Sequence, residues 1–335
     1  MIVALDAMGG DHGPSVNVDA SIMTVNSFKH IDVMLVGKED VLAHELKSRG
    51  YSGDRISIIN ATETVDMDES PSLALRRKKD SSLRRAVEMV RDGKADAAVT
   101  AGNSGAMMAL GLVLLRPVEG VDRPALAAAM PSEKNPFLFL DMGANVDCSP
   151  DNLFQFACMG SAYVKHVMNI ESPRVALLSI GEEANKGNEL TKDAYKLLEG
   201  SRMNFIGNIE SKAIFRGDAD VVVCDGFPGN VFLKTTEGLA DILLKMIKEE
   251  IMSSSLAKIG YLFMRSAMKK VAKRMDYDEY GGATLLGING ACIITHGRAS
   301  AKAIMSGIRE ASDYAEKKVY QKISQEIQSY HEIKQ

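Results

Sequence analysis

The stretch MIVALDAMGGDH at residues 1–12 runs from a short apolar segment straight into an aspartate and a pair of glycines. A continuous apolar run of this length suits a parallel strand covered on both faces. Gly9 and Gly10 then permit a tight turn and close approach to backbone N–H groups. The same unit recurs. Residues 33–36, 56–59, 97–99, 137–140, 175–180, 221–223 and 291–294 read as further strands. Helical periodicity covers residues 39–48, 73–90, 105–115, 152–167, 189–198, 230–251 and 301–329. This alternation predicts an α/β fold, a doubly wound and mostly parallel sheet. No Pro- or Ser-rich linker divides the chain, so residues 1–335 read as a single α/β domain.

One segment, residues 251–275, reads as a protrusion from it. Within it residues 257–275 hold Lys258, Arg265, Lys269, Lys270, Lys273 and Arg274 and no acid. Ile259, Phe263, Met264, Ala267 and Val271 share one side of a helix there, with most of the cations on the other. A basic amphipathic helix suits an anionic membrane surface or a partner. An ordinary surface helix packed on the core or on a second subunit has the same pattern.

Composition sets outer limits. The chain has 335 residues, 46% hydrophobic and 25% charged, as in a soluble globular protein. A net charge of −4 gives no support to general nucleic-acid binding. No apolar run has the length of a membrane span, and the opening, with no basic segment, argues against a secretory signal. Cys148, Cys158, Cys224 and Cys292 are scattered and read as reduced thiols.

The chemistry collects after the apolar runs. Ligands of open parallel sheets bind beyond the carboxyl ends of the strands. There the chain places Asp6 to His12, Thr100 to Gly105, Asp141 to Asp147, Lys186 to Glu189, Asp225 to Asn230, and His296-Gly297. Any one of these is an ordinary turn or helix cap. Six together, expected on one edge, point to an anionic ligand held at helix N-termini. The cation run Arg76-Arg77-Lys78-Lys79 is a solvated face or, through one or two of its members, a phosphate grip. Phosphate-loop, dinucleotide and nucleophile-elbow motifs are absent from the sequence, and the histidines lack zinc spacing.

DAMGGD (6–11), RRKKDSS (76–82), TAGNSGA (100–106), RPAL (123–126), DMGANVD (141–147), KGNELTK (186–192), DGFPGNVFLK (225–234) with Glu237-Gly238, YGGATLLG (280–287) and HG (296–297) together resemble the motif series of the PlsX family of bacterial phosphate acyltransferases. The resemblance covers almost the whole chain in order. Ser104 and Thr100 exchange one hydroxyl residue for another relative to that pattern.

The resemblance implies transfer of a fatty acyl group from acyl carrier protein to inorganic phosphate. The acyl phosphate would supply a membrane glycerol-3-phosphate acyltransferase in phospholipid synthesis. It also implies a fold similar to phosphotransacetylase and the isocitrate/isopropylmalate dehydrogenases, a homodimer, a cytoplasmic location with peripheral membrane association, and no metal or organic cofactor. Within those motifs the catalytic candidates are Lys186, Asn188, Asp225, Asn145 and His296. The phosphate- and substrate-binding candidates are Asp6, Gly9, Gly10, Arg77, Lys78, Asn103, Ser104, Gly105, Asp141, Asn230 and Lys234. Arg265, Lys269, Lys270, Lys273 and Arg274 form the partner or membrane patch. An acyl slot is expected along residues 107–115 and the helices after Phe227 and Leu239. Two other readings are a phosphotransacetylase-like enzyme on a short acyl-CoA and a non-catalytic scaffold for acyl carriers.

Overall fold

The computed structural model describes residues 1–275 and 281–331, and the side chains of 1–271 and 281–330. The elements follow in the order β1 (Ile2–Asp6), α1 (Gly13–Ser27), β2 (Asp32–Gly37), α2 (Glu39–Ser48), β3 (Ile56–Asn60), α3 (Pro71–Arg77), α4 (Ser82–Arg91), β4 (Ala97–Thr100) and α5 (Ser104–Leu114). Next come β5 (Ala125–Met130), β6 (Phe137–Leu140), α6 (Pro150–His166), β7 (Val175–Ser179), α7 (Glu189–Gly200), β8 (Phe205–Glu210) and β9 (Val221–Val223). The chain finishes with α8 (Gly226–Ser253), α9 (Ser255–Met275), β10 (Ala283–Leu286), β11 (Ala291–Ile294), α10 (Ala301–Glu316) and α11 (Val319–His331).

Eleven strands form one sheet in the order β3-β2-β1-β4-β11-β10-β5-β6-β9-β7-β8. Helices cover both faces, which is why the strands read as unbroken apolar runs. In β4, Ala97 and Val99 pack into one buried cluster and Ala98 into the other. The first face carries α1, α2, α6, α7, α10 and α11. On the second face, α3, α4 and α5 lie over one half of the sheet and α8 over the other.

The sheet corrects one expectation directly. β10 is antiparallel to β11 and to β5, and β5 is antiparallel to β6. The direction therefore reverses across the middle. β1, β4 and β11 end at one edge, whereas β6, β9 and β7 end at the opposite edge. The six polar turns stand as two groups, not one. An apolar run carries no sign of its direction, so the reversal left no trace in the pattern.

Other differences are local. The helix expected at 73–90 breaks into α3 and α4, because the Ser81 hydroxyl accepts from Arg84 N and caps a new helix inside RRKKDSS. The C-terminal helix breaks at Lys318, which has a left-handed φ of 49°. The protrusion begins earlier than 251. From Asp241 onward α8 is exposed on every residue up to Glu250, and α9 packs back along it as an arm. Arg265, Lys269 and Lys270 are exposed on this arm, beside Leu262, Met264 and the 86%-exposed Phe263. The side chains of Lys273 and Arg274, and all of Tyr280, lie outside the described residues.

Candidate active site

At the first edge the turn after β1 is bound into the core. Asp6 is buried and accepts from Thr100 Oγ1 at 2.8 Å. Burial pushes its carboxyl above the ordinary range, against the lowering effect of bonds from Ser82 and Thr100. A side chain on Gly9 would collide with Asp6 and the Gly102 backbone, and Gly10 has φ 92°. The motif around Asp6, Gly9 and Gly10 thus lets two strand-end turns interlock.

Asn103 is saturated in the same way. Its Oδ1 accepts from Ala106 N at 2.9 Å, capping α5, and its Nδ2 donates to the carbonyls of Asp66, Met67 and Glu69. Gly105 packs against Pro71. Lys78 donates to the Thr64 carbonyl and pairs with Glu69. Arg77 is exposed at the end of α3. These residues build the rim of the site, and their polar atoms already have partners, Arg77 apart.

Ser104, exposed at the first position of α5, faces a different environment. It lines a cavity of about 340 Å³ together with Asp11, Gly102, Lys234, Glu237, His296 and Gly297. The cavity lies on the second face of the sheet, over β10 and β5, in the gap between α5 and α8. Unpaired N–H groups at the start of α5 give its mouth a positive partial charge. Lys234 adds a full charge and is held by Glu237, Nζ to Oε2 2.8 Å. Arg298 adjoins this mouth beside His296 and pairs with Asp11 at 3.5 Å. The Arg298 backbone N–H donates to His296 Nδ1 at 3.1 Å. A neutral imidazole accepting there carries its proton on Nε2, so it is a donor on that side. Glu237, Asp11 and Arg298 were not among the expected site residues. Glu237 stands in the motif series, one helical turn from Lys234, and that spacing was the sign of its role.

The second edge gathers Asp141, Asn145, Lys186, Asn188, Asp225 and Asn230. Asp141 is fully buried and accepts from Leu126 N, Ala144 N, Asn145 N and Asn145 Nδ2 at 2.7–3.1 Å. Burial raises its pKa despite those bonds. Asn145 Nδ2 also donates to the Pro124 carbonyl at 2.7 Å. Asp225 caps α8 through Phe227 N at 2.8 Å and accepts from Cys148 N at 2.9 Å. Gly226 and Gly229 let the first turn of α8 press on this loop, since added carbons would overlap the Asn145 and Asp141 carbonyls. Asn230 sits against Gly143. Asn188 caps α7 through Thr191 N at 2.9 Å, and Lys186 stands exposed on the loop before it. Asn188, Asp225, Phe227, Val231 and Leu239 line a larger groove of about 1510 Å³ on the other flank of α8.

Helix α8 connects the edges. It starts at Asp225 and brings Lys234 and Glu237 to the first cavity roughly 14 Å further on, at 1.5 Å per residue. Of the expected acyl slot, Met107 and Leu110 are core residues, clustered with Leu285 and Ile288. The α8 stretch, in contrast, lines both cavities.

Comparison with known proteins shows the family and the fold. The family described as "Fatty acid synthesis protein" matches residues 1–322. A "Phosphate acyltransferase" from Thermodesulfovibrio yellowstonii is 52% identical over 330 residues, covering 98% of this chain and 95% of that protein. Another, from Trichlorobacter lovleyi, is 49% identical, covering 98% and 94%. Among solved structures, the EutD phosphotransacetylase from Staphylococcus aureus is similar in fold, with a TM-score of 0.61, 18% identity and 94% of each chain covered. A phosphotransacetylase from Streptococcus pyogenes gives the same TM-score of 0.61.

Proposed function

The chain belongs to the fatty acid synthesis family of phosphate acyltransferases, and from that premise we propose that it moves a fatty acyl group from acyl carrier protein to inorganic phosphate for phospholipid synthesis. One observation supports this reading. The polar groups suited to phosphate, Ser104 and Lys234, line the same cavity as His296, and the interior of that cavity is apolar.

Phosphate is a competent nucleophile at neutral pH, so no serine or cysteine nucleophile is needed. The burial-raised thiols fit that: Cys148 is pushed up to about 12, and burial holds Cys224 well above the ordinary thiol value. The start of α5, the Ser104 hydroxyl and the Lys234 ammonium orient the phosphate dianion against the thioester carbonyl. One phosphate oxygen forms the new C–O bond and the C–S bond breaks. The proton of hydrogen phosphate ends on the leaving thiolate, which balances the reaction. His296, which lines the same cavity, stabilises the departing sulfur or passes on that proton.

Asn188 and Asp225 line the other groove, and Lys186 stands on the loop before α7, at the opposite sheet edge from Ser104 and His296. The homodimer reading accommodates them, because a second copy can present its own Lys186–Asp225 edge to the Ser104–His296 edge of the first. The cations of the arm, Arg265, Lys269 and Lys270, suit docking of the acidic carrier protein or of anionic lipid, with the exposed apolar residues beside them. Among the described residues no helix is long and apolar enough to cross a membrane. A membrane glycerol-3-phosphate acyltransferase would then take the acyl phosphate.

The test is formation of hydroxamate-reactive acyl phosphate from phosphate and either palmitoyl-acyl carrier protein or acetyl-CoA. Preference for the first supports the reading. Turnover only with acetyl-CoA would make the chain phosphotransacetylase-like, and product from neither would make it a scaffold. Charge reversal at Lys269 and Lys270 should weaken carrier-protein binding or vesicle binding; loss of neither removes the role given to the arm.

A further inference from the structure

The cavity beside Ser104 continues inward along β5. Its floor is Ala128, which pairs in register with Ala283 of β10. Leu233 of α8 forms one wall. Leu126 and Met142 close the far end, tied by a backbone bond from Met142 N to the Leu126 carbonyl at 3.0 Å. From Met130 to Leu126 the strand spans roughly 13 Å at 3.3 Å per residue. Polar groups are confined to the mouth.

We infer that this trough holds the acyl chain of the substrate, with Ala128 leaving it open and Leu126 closing it. The inference rests on the acyl-transfer reading above. The occupant is argued from the geometry: a chain bonded to the reacting carbonyl at the Ser104–His296 mouth meets apolar walls leading inward, along β5 and beneath α8. Alanine at 128 is otherwise a poor choice for a strand, where larger β-branched residues pack better. A leucine there would fill the trough just behind the reacting carbonyl.

The experiment compares kcat/KM for acetyl, octanoyl and palmitoyl thioesters in the wild type, Ala128→Leu and Leu126→Ala. Ala128→Leu should lower the palmitoyl-to-acetyl ratio by at least about tenfold, the scale on which a hydrophobic pocket discriminates. Leu126→Ala should raise the ratio of palmitoyl to octanoyl. If Ala128→Leu fails to fold, as judged by its melting curve, the Leu126→Ala ratio decides. Unchanged ratios, or an equal fall with every chain length, overturn the slot while leaving acyl transfer standing. A wild type that forms no acyl phosphate from any thioester overturns both, and is distinguished by that.

Discussion

Asp225 and Lys234 lie on the same helix and at opposite edges of the same sheet. Asp225 caps the start of α8 where β9 ends, and Lys234 lines the cavity next to His296. This follows from the reversal of strand direction at β10 and β5. The helix leaving β9 must run back across the sheet, and so it delivers a cation to the edge where β1, β4 and β11 end.

Two copies acting together make a specific prediction. Ser104→Ala and Lys186→Ala should each be impaired alone. Mixed under conditions that exchange subunits, they should regain activity, because a mixed pair contains one site with both residues intact. No recovery after verified exchange would confine catalysis to one chain.

His296 is expected to act on the leaving group. His296→Gln should lower kcat about 100-fold with little change in KM, the usual size of a general-acid contribution. The loss should shrink with an aryl thioester, whose thiolate leaves without a proton. An equal loss with both leaving groups would assign His296 to positioning.

Gly229 permits the close approach of α8 to the turn after β6. Gly229→Ala would force its new carbon onto the Asp141 carbonyl. Overpacking of this kind costs about 1–3 kcal/mol, so a clear fall in Tm is expected. The control Gly238→Ala, at an open position later in α8, should raise or preserve Tm.

Glu310 is buried and accepts from Tyr163 OH at 2.7 Å and Thr284 Oγ1 at 2.8 Å. Burial pushes its pKa up to about 7, from an ordinary value of 4.5. Its contribution is therefore fully present below pH 4.5. Between that pH and 7 the folded chain keeps a proton that the unfolded chain has released, so stability falls as pH rises. The loss across this window is on the order of 3 kcal/mol. Glu310→Gln should flatten that part of a Tm-against-pH curve; an unchanged slope would remove Glu310 as its source.

Much of the fold was legible because strands such as 137–140 and 221–223 are buried on both faces and so read as unbroken apolar runs. β5, β8 and β10 were not. ALAAAM is small and alanine-rich, FIGNIE is interrupted by glycine and asparagine, and ATLL is short. Missing β5 and β10 hid the reversal, and with it the division of the polar turns into two groups. In the candidate site, the motifs marked turns that gather at the two edges of the sheet. They did not separate groups facing the cavity, such as Ser104 and Lys234, from Asp6, Asn103, Lys78 and Asp141, whose hydrogen bonds hold the turns together. Cap and ligand contact use the same residue types, so only the partners tell them apart.

The central claim is that phosphate is held between α5 and Lys234 for attack on the thioester. The direct measurement is the phosphate dependence of acyl phosphate formation by the wild type, Ser104→Ala and Lys234→Ala at saturating thioester. Both variants should show a raised KM for phosphate and kcat/KM reduced about 100-fold or more, as for loss of a charged or oriented donor at a reacting anion. Phosphate saturation curves matching the wild type in both variants would contradict the placement.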